Sequence, residues 1–239
     1  MKKTNLNILI TGASRGIGKA ITQRLAPRCA NLFITSKNKN SCDAVYNMTK
    51  DVATNVYINN FNHEEPEKAA KDIGSWIKSK EITELDAIVL DAGIFIEGEL
   101  STISIEDFNK NLNVNFLVNH YIVSELLNLL KNAKSPRIII IGSTASYRSY
   151  CVPSYGVAKF ALRGYAINLR KELSLHNIGV TFISPGGTLT DMWEGEDIEP
   201  NRLLCPEDIA SIVDTVFTLS NQAVIDEIII KPMLGDVDE

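Results

Sequence analysis

Short runs rich in Ile, Val and Leu recur along this chain of 239 residues, and longer stretches with helical spacing of their apolar residues lie between them. A strand that reads as a continuous apolar run is buried on both faces, the condition of a parallel sheet covered by helices on each side. The runs predict strands at 7–10, 32–35, 55–58, 87–90, 137–141, 180–183 and 227–231. Helices are expected to begin near Gly16, Ser41, Glu64, Ile105, Ser154 and Pro206. Ser104 with Asp107 has the spacing of a capping box, and Pro206 suits a first helical position. Without an internal repeat or a low-complexity linker, the alternation predicts one α/β domain over residues 1–239: a doubly wound, mainly parallel sheet of seven strands.

The first strand runs into Thr11-Gly12-Ala13-Ser14-Arg15-Gly16-Ile17-Gly18 and then into a helical pattern. In such a turn Gly12 permits the tight bend, Gly16 a close approach of backbone to pyrophosphate, and Gly18 close packing of helix on strand. Orphan N–H groups and the helix dipole favour an anion there, with Ser14, Arg15 and Ile17 around it. The same glycines also serve a purely structural turn, but their place in the first βαβ unit is that of a dinucleotide site. After the second strand stands Thr35-Ser36-Lys37, where a site for NAD usually carries an acid on the ribose hydroxyls. Lys37 and Arg15 instead suit a 2′-phosphate, so NADP(H) is expected over NAD(H), the alternative being two solvated charges.

Within Ser154-Tyr155-Gly156-Val157-Ala158-Lys159, Tyr155 and Lys159 are four apart and share a helix face. An ammonium beside a phenol stabilises the phenolate and is expected to lower its pKa from ~10. The spacing alone also fits a core-edge Tyr next to a solvated Lys.

Together these residues resemble the short-chain dehydrogenase/reductase family, over nearly the whole chain. Its TGxxxGxG motif is met by Gly12, Gly16 and Gly18. Its Asn-Asn-Ala-Gly after the fourth strand stands here as Leu90-Asp91-Ala92-Gly93, with both amides replaced, and the Asp that follows its third strand and touches adenine corresponds to Asn60. Asn115, Ser143, Tyr155 and Lys159 match the family's catalytic Asn, Ser, Tyr and Lys in order. Pro185-Gly186-Gly187-Thr188-Leu189-Thr190 resembles its PGxxxT segment, implying that Pro185, Gly186, Thr188 and Thr190 contact the nicotinamide end. The resemblance implies a Rossmann-like fold and hydride transfer between nicotinamide and a carbonyl or secondary alcohol. Tyr155 would be the general acid/base, Ser143 a second donor, Lys159 a modulator of Tyr155 that also holds the ribose, and Asn115 the holder of a water linking Lys159 to solvent. It also implies a homodimer or homotetramer through the helices near Ile105 and Ser154, whose Phe108, Leu112, Phe160 and Leu162 serve equally as core.

A net charge of −5 with no Lys/Arg cluster argues against nucleic acid as a partner. No apolar run approaches the ~20 residues of a membrane span, and Leu6 to Ile10 reads as a strand rather than a signal segment. Cys29, Cys42, Cys151 and Cys205 are far apart without metal-site spacing, which is expected of reduced thiols in a cytoplasmic protein; no metal site is expected. Ile94, Phe95 and Ile96, segment 143–150 and segment 189–193 are expected around the substrate, a small carbonyl or alcohol compound. The acidic stretch 189–204 is either a lid over that pocket or a solvated loop. Three alternatives stand beside this reading. A 3-oxoacyl reductase is disfavoured by Ile228-Ile229-Ile230-Lys231-Pro232, where a Gly-Gly-aromatic-Met ending is usual. A sugar-nucleotide epimerase is disfavoured by length, and a non-catalytic NADP sensor by the intact Ser, Tyr and Lys.

Overall fold

In the computed structural model, which describes residues 4–37, 39–99, 101–148 and 152–237, all seven expected strands form one sheet. They are β1 (Leu6–Thr11), β2 (Cys29–Ser36), β3 (Asn55–Asn60), β4 (Ala87–Leu90), β5 (Arg137–Ile141), β6 (Gly179–Pro185) and β7 (Glu227–Ile230). Their order is β3-β2-β1-β4-β5-β6-β7, and every pairing is parallel. The order reverses between β1 and β4, the point where open sheets of this kind leave a crevice at their carboxyl ends.

Each face carries its own core. Helices α1 (Gly16–Leu25), α2 (Asp43–Thr49) and α7 (Pro206–Val216) cover one side with Ile21, Leu25, Val45, Ile209 and Val213 against Ile8, Ile10 and Ile34. Helices α3 (Pro66–Lys78), α5 (Val118–Asn132) and α6 (Pro153–Leu173) cover the other, packing Ile73, Ile122, Leu126 and Leu162 on Leu9, Phe33, Ile88 and Ile138. Alternate residues of one strand thus enter opposite cores, which is why β4 is apolar throughout and β1 and β5 carry the continuous runs 8–10 and 138–141.

The helix expected from Ile105 is α4 (Ile105–Leu112), continued through a π-turn (Asn113–Leu117) into α5. Ser104 caps it by accepting from the Asp107 amide at 3.0 Å. The π-turn misaligns helical hydrogen bonds, and an Asn ladder takes up the displaced carbonyls: Asn115 Nδ2 donates to Asn111 O at 3.1 Å and Asn119 Nδ2 to Asn115 O at 3.0 Å. The crowd of asparagines in this helix is therefore a built device, and it turns the Asn115 amide toward β4. No helix among the described residues is long and apolar enough to cross a membrane. Cys29, Cys42 and Cys205 are free thiols, and Cys151 lies outside the described residues.

Candidate active site

One cleft of about 490 Å³ runs along the carboxyl ends of the strands, and most residues singled out from the sequence line it. Its floor is the turn between β1 and α1. Gly12 and Gly16 have φ of +69° and +51°, in the left-handed region. A Cβ on Gly12 would stand 2.8 Å from Ala92 Cα, and one on Gly18 2.4 Å from Gly12 O. Sterics require both glycines. Arg15 occupies the N-cap of α1 without a side-chain cap, and no acid lies in the first turn. The first-turn N–H groups are therefore left to an anion, with Ser14, Arg15 and Ile17 on the cleft wall. The residues present thus fit the pyrophosphate of a nicotinamide dinucleotide.

The outer end differs from what the sequence led us to expect. Asn60 is exposed at the end of β3 and does not line the cleft; Phe61, Asn62, His63 and Glu64 form that wall. Burial pushes the His63 imidazole pKa down to about 4, and its Nε2 has no hydrogen-bond partner among the described residues. Lys37 lines the cleft as expected, but it is paired with Glu64 at 3.2 Å, and Lys110 meets the same carboxylate at 3.2 Å. Burial works against the Glu64 anion, yet the bonds from Lys110 and Lys37 hold its pKa below the usual value. Arg15 is likewise paired, with Asp191 at 3.1 Å. These partners are not legible in the sequence, because an exposed acid distant in the chain carries no local pattern.

At the inner end, β4, β5, α6 and the π-turn bring Asp91, Ser143, Tyr155, Lys159 and Asn115 together. Ser143 follows β5, and its Oγ accepts from the Ala145 amide at 3.1 Å while hydrogen-bonding the Tyr155 phenol. Phe95 stacks edge-on against Tyr155, with ring centroids 5.3 Å apart. Lys159 is 5% exposed; its Nζ donates to Ile141 O at 3.4 Å and lies 5.5 Å from the Tyr155 ring centroid. The expected lowering of the phenol by Lys159 is not what this geometry gives. Burial pushes the Tyr155 pKa up to about 12, the Ser143 bond opposes that rise, and the Asp91 charge adds to it. Burial also brings Lys159 down to about 8, against the pull of Asp91. Asn115 spends its amide on the chain after β4, donating to Ile94 O at 2.9 Å and accepting from Ile94 N at 3.1 Å. A Cβ on Gly93 would stand 2.9 Å from Asn115 Oδ1 and 3.8 Å from Lys159 Nζ, so Gly93 leaves room for both.

The segment after β6 closes the cleft from above. Pro185, Gly186, Gly187, Thr188 and Thr190 line it, and Thr188 bridges to Leu204, tying the base of the 189–204 segment together. Thr190 packs over Gly16, its Cγ2 2.9 Å from where a Cβ would be. Met192, Trp193 and Glu196 face the cleft, whereas Glu194, Asp197 and Glu199 are exposed. Ile94 and Phe95 line the cleft as expected and Ile96 does not; of segment 143–150, Ser143, Thr144 and Arg148 line it, while Ser149 and Tyr150 lie outside the described residues. Asp236 and Val237 complete the wall, and the Asp236 carboxylate meets Arg148 at 2.6 Å and accepts from the Gly187 amide at 3.1 Å. Those two residues were not foreseen, since their place depends on the path of the chain after β7.

A short chain dehydrogenase family model matches residues 6–200. The chain belongs to the short chain dehydrogenase family of oxidoreductases. It is 26% identical to the sepiapterin reductase of Chlorobaculum tepidum over 97% of this chain and 98% of that one. It is 29% identical to an uncharacterized oxidoreductase of Schizosaccharomyces pombe over 83% of this chain, spanning 66% of that protein's length. Among solved structures, a short chain dehydrogenase from Burkholderia cenocepacia in complex with NADP superposes with a TM-score of 0.86 at 25% identity, over 97% of this chain and 98% of that one.

Proposed function

We propose that this protein is an NADP(H)-dependent oxidoreductase that interconverts a carbonyl and a secondary alcohol, with Tyr155 as proton donor in reduction. The observation that carries this is the Ser143–Tyr155 hydrogen bond beside Lys159, at the inner end of a cleft that begins on the glycine turn. Gly12, Ser14, Arg15, Gly16, Ile17 and Gly18 would hold the pyrophosphate, and Asp91, Ala92, Gly93, Pro185, Gly186, Thr188 and Thr190 would flank the rest of the dinucleotide. When bound, the nicotinamide supplies or accepts the hydride.

Tyr155 and Ser143 handle the oxygen. As a carbonyl is reduced, negative charge grows on its oxygen, and two placed donors in a dry site stabilise it. A phenol titrating near 12 is fully protonated at neutral pH, the form that gives up a proton in reduction. Lys159 supplies a buried cation beside the transfer path, and Asn115 keeps Gly93 and Ile94 clear of it. Preference for NADP(H) rests on Lys37 and Arg15 at the outer rim, where no residue at the end of β2 offers the ribose an acid.

Phe95, Met192 and Trp193 give the substrate end an apolar wall, which suits a small, partly apolar carbonyl compound. The exposed acids of segment 189–204 would repel an acidic carrier, disfavouring a carrier-bound 3-oxoacyl substrate. Assembly into a homodimer or homotetramer fits Phe160, 46% exposed on α6; Leu162 belongs to the core and takes no part. Tyr155→Phe tests the central assignment: NADPH fluorescence titration is expected to be unchanged while carbonyl reduction falls by ~10²- to 10⁴-fold. Undiminished turnover would remove Tyr155 from the mechanism, and NADPH binding without turnover of any carbonyl or alcohol by the wild type would favour a sensor.

A further inference from the structure

Asp91 stands where the family resemblance leads one to expect a neutral amide, and nothing in the mechanism above uses its charge. The residue follows β4 and lines the cleft with Lys159 and Tyr155. Its own amide and that of Ala92 donate to Thr11 Oγ1 at 3.1 and 3.2 Å, which fixes the backbone against β1. The carboxylate is directed onto α1, where it accepts from the Gly18 amide, and its Oδ2 lies 2.6 Å from where a Gly18 Cβ would be. The carboxyl is thus held in a fixed place in the cleft that also encloses the Lys159 ammonium, and on the alkaline side of its own titration it is an anion. Its charge acts on Lys159 and on Tyr155 alike.

Resting on the function proposed above, we propose that Asp91 is a positioning residue for proton transfer: it balances the Lys159 ammonium and holds the proton on Tyr155, setting the alkaline limit of carbonyl reduction. An anion favours a neighbouring ammonium and disfavours a neighbouring phenolate, so it opposes proton loss from both groups. Burial pushes the Asp91 pKa up to about 7, with Lys159 and the Gly18 N–H resisting. The groups facing it are therefore Gly18 from α1, Thr11 from β1, and Lys159 and Tyr155 from α6; Asn115 of the π-turn reaches the same pocket through Gly93. With an amide here, Lys159 would be uncompensated and the phenol easier to ionise.

Asp91→Asn keeps the shape and removes the charge. Measured by NADPH oxidation with 9,10-phenanthrenequinone as probe carbonyl, the high-pH limb of kcat/KM is expected to move down by about one pH unit or more. NADPH fluorescence should show that the variant still binds cofactor. A uniform loss at all pH values with an unmoved limb would make Asp91 merely structural and overturn the proposal. Tyr155→Phe separates the two readings: if it is inactive and the Asp91→Asn profile superimposes on the wild type, only the Asp91 proposal fails. A second measurement does not depend on that variant's folding. In wild-type protein with ¹³C-carboxyl-labelled aspartate, one carboxyl is expected to titrate near 7 and higher still in Lys159→Met; ordinary values for every aspartate would also overturn the proposal.

Discussion

The two ends of the cleft treat charge in opposite ways. At the inner end, Asp91, Tyr155 and Lys159 are enclosed, and each titrates well away from its ordinary value. At the outer rim, the Arg15 and Lys37 side chains are 71% and 75% exposed, each beside a carboxylate. Moving a charge from water into protein multiplies its effect on neighbours several-fold, whereas solvent and salt damp an exposed pair. The inner charges therefore suit the control of a proton, and the rim charges suit a modest choice between two cofactors. Substitutions at the two ends should differ accordingly.

The largest effect is expected where the inner end meets the glycine turn. A side chain on Gly18 would run into Gly12 O at 2.4 Å and Asp91 Oδ2 at 2.6 Å, and neither the backbone nor the anchored carboxylate can give way. Gly18→Val should cost about 1–3 kcal/mol by overpacking, lowering the melting temperature by roughly 2–12 °C, and should abolish NADPH binding. A variant that melts with the wild type and binds NADPH would show that this contact relaxes freely, and that the inner end is less rigid than its packing implies.

That contact also marks what the sequence made legible. The seven strands were readable because burial on both faces leaves an uninterrupted apolar run, and the glycine turn because only Gly tolerates both the φ of +69° at Gly12 and the approach of Ala92. Tyr155 and Lys159 were readable as a pair because a helix fixes their separation. Their titration was not: it depends on burial and on Asp91, which reaches them from a different element. The Asn ladder at 111, 115 and 119 was not readable, because its purpose follows from a π-turn that no local propensity signals. Asp236 and the pairing of Lys37 with Glu64 are long-range side-chain contacts, invisible until the chain is folded.

His63 lies between the two regimes, toward the rim in position but enclosed like the inner groups. Its folded pKa of about 4 lies below the ordinary imidazole value, so the fold holds it neutral. As pH falls below about 6.5, the unfolded chain binds a proton that the folded chain refuses until about 4, and stability is lost across that window. The loss is expected to be on the order of 3 kcal/mol by pH 4. Denaturant unfolding of the wild type and His63→Gln from pH 7.5 to 4 should show the two stabilities converging or crossing by about that amount. Parallel curves would place His63 with the screened rim groups.

The smallest effects belong to the rim. Lys37→Ala should weaken NADPH by about 5- to 10-fold and leave NADH nearly unchanged, a difference that added salt should shrink. Glu64→Gln sharpens the point, because the same carboxylate holds both Lys37 and Lys110 at 3.2 Å. Freed of that acid, the two ammonium groups should bind NADPH about 2- to 5-fold more tightly, again with little change for NADH. In the double variant Lys37→Ala with Glu64→Gln, the gain should fall to whatever Lys110 alone supplies. Fluorescence titrations of both cofactors at two salt concentrations measure all of these values. A large, salt-insensitive gain from Glu64→Gln would mean that the rim is desolvated when the cofactor binds, and the contrast between the two ends would then belong to the free protein alone.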